Sequence, residues 1–136
     1  MSKNIPDPLR RATAIRAHYR CEYCRRPEMD SFIRFQSDHI ISRKHGGKTI
    51  LENLAHACPV CNNAKGSDLA TILENEENLI RLFNPRKDDW FSHFRVENGL
   101  ILSKTDIGEA TVKLLKLNDI NRILERLDLI EAGLFP

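Results

Sequence analysis

The 136-residue chain has one tryptophan, two methionines, six glycines and no long apolar run. Its longest stretch free of Asp, Glu, Lys and Arg, residues 53–64, is too short and too polar to cross a bilayer. The first twenty residues lack the apolar core of a secretory signal, so the expectation is a soluble, cytoplasmic protein with no membrane partner. Internal repeats and low-complexity segments are absent. A hydrophobic fraction of 41% with 29% charged residues argues against disorder. The length allows one domain and a small appendage. Net charge is only +2, yet it is unevenly spread. Residues 1–66 hold 12 basic and 6 acidic side chains, residues 67–136 hold 9 and 13. Any polyanion contact is therefore expected in the first half.

The four cysteines form two pairs, Cys21-x2-Cys24 and Cys58-x2-Cys61, separated by 33 residues. In a reducing compartment a disulfide framework is disfavoured. Two such pairs suit a tetrahedral zinc site, each turn aiming two thiolates at one ion. Four thiolates leave no open coordination position, so the zinc is expected to be structural. The long gap calls for a folded segment between the pairs.

Asp7-Pro8 reads as the N-cap and first position of a helix reaching about residue 18, rich in arginine with Arg10, Arg11, Arg16 and Arg20 at its end. Those arginines either track a nucleic acid or cover an exposed face. Residues 32–41 read as a strand and 43–48 as a glycine-punctuated loop. Residues 54–57 read as a second strand, and 59–65 as a helix ended by Gly66. Beyond it, Ser67-Asp68 caps an expected helix over 69–82, broken by Asn84-Pro85. Asn98-Gly99 predicts a hairpin between strands at 94–97 and 100–103. Thr105 caps a helix to about residue 117. A last helix over 119–132 carries Ile120, Ile123, Leu124, Leu127 and Ile130 on one face, with Gly133 as its stop. Trp90, Phe91 and Phe94 are expected in the core. The fold class is α+β: a zinc-centred module over residues 1–70, with a mostly helical, hairpin-containing extension over 71–136 packed on it.

Between the cysteine pairs lies Asp38-His39, at an expected strand end. Asp38 offers a hard carboxylate oxygen suited to Mg²⁺ or a similar ion. His39 titrates near working pH and can take a proton from water beside a metal-bound phosphate. On a continuing strand the two side chains would face apart; at a strand end both can serve one site. Asn62, at the start of the short helix, offers a second oxygen.

The ordered set Cys21-x2-Cys24, Asp38-His39-Ile40-Ile41, Gly46-Gly47, Glu52-Asn53-Leu54 and Cys58-Pro59-Val60-Cys61-Asn62-x2-Lys65 resembles the HNH endonucleases, in their four-cysteine subclass. The run Leu82-Phe83-Asn84-Pro85-Arg86, with Trp90 and His93-Phe94, is similar to the tail of small stand-alone bacterial members. The resemblance implies a ββα-metal, treble-clef-like core gripping one divalent ion, Mg²⁺ or another such as Mn²⁺. It implies His39 as general base, Asp38 and Asn62 as metal ligands, and Asn53 as a brace that orients His39. The implied reaction is hydrolysis of a DNA phosphodiester to 5′-phosphate and 3′-hydroxyl ends, by a monomer or a homodimer. Two departures from the pattern concern the metal: Asn62 stands where some members have histidine, and Gly66 where some place a further one. Arg43, Lys44, Lys48 and Lys65 surround the motif and are expected to neutralise phosphates. His18, His45, His56 and His93 read as surface or hydrogen-bonded histidines. The competing readings are a zinc-stabilised nucleic-acid binding module without catalysis, and a protein-interaction domain using the acidic half.

Overall fold

A computed structural model describes residues 4–29, 32–74 and 77–136. The chain divides into two units, Met1–Ser67 and Asp68–Pro136. Helices and short two-stranded sheets alternate in it, an α+β composition. Among the described residues, no helix is long and apolar enough to cross a membrane.

The first unit opens with helix α1 (Asp7–Arg16). Pro6, in extended conformation, occupies the N-cap expected for Asp7, while Asp7 places its carboxylate in the first turn, where the helix dipole favours it. The helix stops at Arg16 because His18 and Tyr19 turn left-handed, with φ of 55° and 57°. The Arg16 guanidinium then donates to the carbonyls of Leu51 (3.0 Å) and Leu54 (2.6 Å). This arginine fastens the helix to the chain that follows.

Strand β1 (Gln36–His39) pairs antiparallel with β2 (Leu54–Ala57), Gln36 opposite Ala57 and His39 opposite Leu54. The second strand matches its expected span. The first is shorter than residues 32–41: Phe32 is 92% exposed, and the Phe35 amide is taken by the Glu28 carboxylate (2.7 Å) instead of a strand neighbour. The connection holds two 3₁₀ turns, Arg43–His45 and Leu51–Asn53, with Gly46 at φ 91° ending the first. Helix α2 (Pro59–Lys65) has proline at its start, where a missing N–H costs nothing, and Gly66 as its stop.

The second unit departs from the helix expected over 69–82. Its described residues form β3 (Ala70–Thr71) and β4 (Ile80–Arg81), antiparallel with Thr71 opposite Ile80; residues 75 and 76 lie outside the described residues. The polar run from Glu74 to Asn78 interrupts the apolar pattern and leaves two short flanking segments that pair as strands. Leu73 and Leu82 are buried with Ala110, and Ile80 and Leu114 pack against them, while Arg81 faces out.

A four-residue helix α3 (Trp90–His93) leads into the hairpin β5 (Phe94–Glu97) and β6 (Leu100–Ser103), as expected from Asn98-Gly99, whose φ values are 52° and 80°. Trp90 and Phe94 are buried with ring centroids 4.8 Å apart, whereas Phe91 is 47% exposed and no core residue. Thr105 caps α4 (Asp106–Leu114) by accepting from the Gly108 amide (3.0 Å). Lys116, at φ 53°, turns the chain before residue 117.

Helix α5 (Ile120–Glu131) departs from its expected orientation. Ile120, Leu124, Leu127 and Ile130 are exposed, and the buried side chain is Arg126. Its guanidinium donates to the carbonyls of Gly99 (2.6 Å) and Leu117 (2.7 Å). Two backbone acceptors that would otherwise be orphaned draw the arginine inward.

Asp88 closes the turn after β4. Its carboxylate accepts from both Arg81 nitrogens (2.7 and 2.9 Å) and from the Asn84 amide (2.9 Å). Arg81 holds the Asp88 carboxyl below its usual range, against a smaller opposing effect of burial. A carboxyl depressed in the folded state adds stability above its unfolded pKa of about 3.9 and loses it as pH falls through the folded value. Asp88→Asn should therefore cost about 1–2 kcal/mol at neutral pH and reduce the extra loss of stability below about pH 4. Urea unfolding followed by Trp90 fluorescence at both pH values checks this; unchanged acid sensitivity would count against it.

Candidate metal centre and cleft

The two cysteine pairs are presented by different local structures. Around the first, the Cys21 amide donates to the Arg26 carbonyl and the Arg25 amide to the Cys21 carbonyl, both at 2.8 Å, a tight loop that puts Arg25 at φ 67°. In the second pair, Cys58 is the N-cap of α2 and Cys61 lies in its first turn. In each pair an amide points at a sulfur: Cys24 N–H to Cys21 Sγ and Cys61 N–H to Cys58 Sγ, both at 3.4 Å. Such donors stabilise thiolates.

All four cysteines are buried, none is in a disulfide, and their sulfurs lie within 4.8 Å of one another. Cys24 and Cys58 Sγ are 3.8 Å apart. Zinc–sulfur bonds of about 2.3 Å at tetrahedral angles separate neighbouring sulfurs by about 3.8 Å. The donor set and its spacing fit one zinc ion, with every position filled by protein. The loop around Cys21 is further tied to β2 by Glu22, whose amide donates to the His56 carbonyl and whose carboxylate accepts from the His56 amide, both at 2.8 Å.

Across the same unit runs a cleft of about 600 Å³, lined by Asp38, His39 and Asn62, with Ser42, Arg43 and Lys44 at its side. The three residues singled out by their chemistry thus border one space. The geometry follows from two periods. Gln36 and Asp38 share a face of β1, and Asn62 and Lys65 share a face of α2. Asn62 Nδ2 donates to Gln36 Oε1 (3.1 Å), and the Lys65 ammonium pairs with Asp38 Oδ2 (3.1 Å).

Asp38 is 6% exposed. Burial raises its pKa, opposed by the charge of Lys65 and the hydrogen bond from the Tyr23 hydroxyl (2.8 Å). Tyr23 is itself fully buried, and burial together with the Asp38 charge raises its pKa well above the ordinary value, so it stays a neutral donor. Both contacts fall on Oδ2; Oδ1 has no hydrogen-bond partner among the described residues. The same holds for Asn62 Oδ1 and for the buried Ser42 Oγ. A carboxylate oxygen and an amide oxygen without partners, beside open solvent, suit a hard divalent cation that keeps several waters.

His39 closes β1, and its Nε2 lies 2.8 Å from the Thr49 hydroxyl. Nδ1 has no partner among the described residues. Burial lowers the pKa of this ring, with the Asp38 charge opposing, which favours the neutral imidazole. Asn53 lies at the base of the connection. Its Oδ1 accepts from the Ile41 amide (3.0 Å), and its Nδ2 donates to the Ile41 and Lys48 carbonyls (2.9 Å each). The side chain braces the backbone beside His39 and makes no bond to the ring, which Thr49 holds instead.

The four expected cations separate. Arg43 and Lys44 are exposed and line the cleft, and Lys48 is exposed outside its lining. Lys65 does not face a phosphate: it is 2% exposed, paired with Asp38 and donating to the His39 carbonyl (3.1 Å). A buried carboxylate needs a buried counter-charge, and the helical spacing from Asn62 delivers it. Tyr23, Thr49 and Gln36 belong to the site's support and were missed by the sequence reading; the one signal available was the place of Tyr23 inside the first cysteine turn. His56, expected as a surface or hydrogen-bonded residue, is buried against Phe35 and joined to Glu28 (2.8 Å).

Residues 21–68 match the family model described as HNH endonuclease, about a third of the chain. The resemblance read from the motifs stands for this segment, which includes all four cysteines and the cleft residues. No curated protein and no solved structure matches the chain.

Two outcomes follow for this unit. Elemental analysis should find one zinc per chain, and a strong chelator or Cys61→Ser should abolish amide-exchange protection of β1 and β2, since a structural zinc contributes on the order of 10 kcal/mol or more. Protection surviving complete metal removal would refute a folding role for the four thiolates. A Cβ at Gly47 would lie 1.6 Å from the Ile41 carbonyl oxygen and 2.8 Å from Asn53 Nδ2. Gly47→Ala should thus displace the Asn53 brace and cost about 1–3 kcal/mol or more in urea unfolding; a neutral substitution would show the brace to be dispensable.

Proposed function

We propose that the chain is a metal-dependent DNA endonuclease, its residues 1–70 forming a ββα-metal, treble-clef-like catalytic module and residues 71–136 an extension of it. The observation that carries the reading is the meeting of Asp38, His39 and Asn62 around one cleft, inside the segment that matches the HNH endonuclease family.

His39 is the general base. With Nε2 turned to Thr49, Nδ1 carries the lone pair that takes a proton from the attacking water. Asp38 Oδ1 and Asn62 Oδ1 would hold the divalent ion, Mg²⁺ or Mn²⁺. Such an ion, when bound, stabilises the negative charge that develops on the phosphate and on the leaving 3′ oxygen. Lys65 and Tyr23 keep Asp38 ionised and fixed on its other oxygen, so that one oxygen stays free for the ion. Asn53 holds the backbone that follows His39, which limits how far the ring swings. Arg43 and Lys44, exposed at the cleft, meet the flanking phosphates, and Lys48 adds charge to the same loop. The products are 5′-phosphate and 3′-hydroxyl ends.

Supercoiled plasmid incubated with the zinc-loaded chain should be nicked or linearised in Mg²⁺ or Mn²⁺ and left intact without added divalent ion. His39→Ala should lower the rate about 10³-fold while circular dichroism and zinc content stay unchanged. Binding to DNA with no cutting in any divalent metal would replace the enzyme by a non-catalytic nucleic-acid binding module.

A further inference from the structure

A second cavity, of about 790 Å³, lies between α1 and residues 28–29 and 34–37. Gln36 and Ser37 line both it and the cleft, so the two spaces adjoin across β1. Three arginines reach it. Arg10 is anchored through Nε to the Ile5 carbonyl (2.9 Å). Arg11 and Arg34 are exposed and have no hydrogen-bond or ion-pair partner among the described residues. The other arginines of the first helix and its end are engaged: Arg16 with Leu51 and Leu54, Arg20 with the Arg25 carbonyl (2.9 Å). Two unpaired guanidinium forks on one rim match the oxygens of a phosphate.

Ser37 lies where this cavity and the cleft adjoin. Ser37 is 3% exposed and its Oγ has no partner. Among the described residues, Glu28 is the acid in the wall, but both its oxygens are engaged, with the Phe35 amide (2.7 Å) and with His56 Nε2 (2.8 Å). Tyr19 and Phe35 supply aromatic surface beside them.

We propose that this cavity is a second phosphate-binding subsite, taking a backbone phosphate of the nucleic-acid strand that also enters the cleft. It rests on the nuclease reading for the identity of the strand; the cavity's own chemistry asks only for a phosphate group.

The test uses the full zinc-loaded chain and a labelled DNA duplex, without added divalent metal, followed by anisotropy over a range of salt. Arg11→Gln/Arg34→Gln should weaken binding about tenfold near 0.1 M salt and lower the slope of log affinity against log salt by about 1–2. Ser37→Ala should leave both affinity and slope unchanged, since its Oγ is closed to solvent. Arg95→Gln, an exposed arginine of the second unit, serves as control, and matching thermal midpoints exclude a folding effect. Wild-type affinity and slope in the double variant would overturn the subsite. So would a cavity that loses inorganic phosphate or a nucleoside monophosphate on mutation while duplex binding is unchanged. Arginine-dependent binding in a chain that cuts nothing would refute the nuclease and keep the subsite, whereas normal cutting with no arginine dependence would do the reverse.

Discussion

The convergence of four sulfurs is the constraint on which the first unit depends. A unit of this size rarely gains enough from its apolar core alone. Here the sulfurs are shared by a tight loop and the first turn of α2, so one ion would join segments more than thirty residues apart. Because Cys58 directly follows β2 and Cys61 starts the helical face bearing Asn62 and Lys65, the cluster also sets where that face meets β1. The chemistry of the cleft and the integrity of the fold therefore share one anchor.

Asp38 shows how a buried charge is kept useful. Its carboxylate is divided between two tasks: Oδ2 is held by Lys65 and Tyr23, and Oδ1 is left open. Desolvation acts against ionisation and keeps the pKa raised, and the buried ammonium and the phenol offset it in part. Both helpers are buried, Lys65 at 2% and Tyr23 at 0% exposure. The exposed cations at the cleft are Arg43 and Lys44.

Much of the first unit was legible in the sequence because its signals are local. The cysteine spacing, the Pro59 start, the Gly66 stop and the span of β2 each rest on one or two residues whose chemistry has few alternatives. The hairpin at Asn98-Gly99 was legible for the same reason: both turn residues adopt the positive φ that the turn requires. The segment 69–82 was misread because leucines and isoleucines at three- and four-residue intervals also satisfy a pair of short strands once Glu74–Asn78 breaks the run. The orientation of α5 was not legible at all. Its buried side is chosen by two backbone carbonyls, at Gly99 and Leu117, whose need for a donor has no trace in apolar periodicity. Likewise, the inward turn of Lys65 depends on where Asp38 lies in three dimensions, and a basic residue beside a motif reads as a surface cation until that is known.

The Asn53 side chain knots the connection between β1 and β2 at its neck, holding Ile41 on one side and Lys48 on the other. The span beyond the knot, carrying Arg43, Lys44 and His45, is exposed and lies outside the strand ladder. On the nuclease reading, exchange of Arg43 and Lys44 would change the surface offered to the strand, while the partners that hold the ring and the carboxylate, Thr49, Tyr23 and Lys65, lie outside that span. A scaffold of this kind can diversify its target preference through one short exposed segment while inheriting its reactive centre intact.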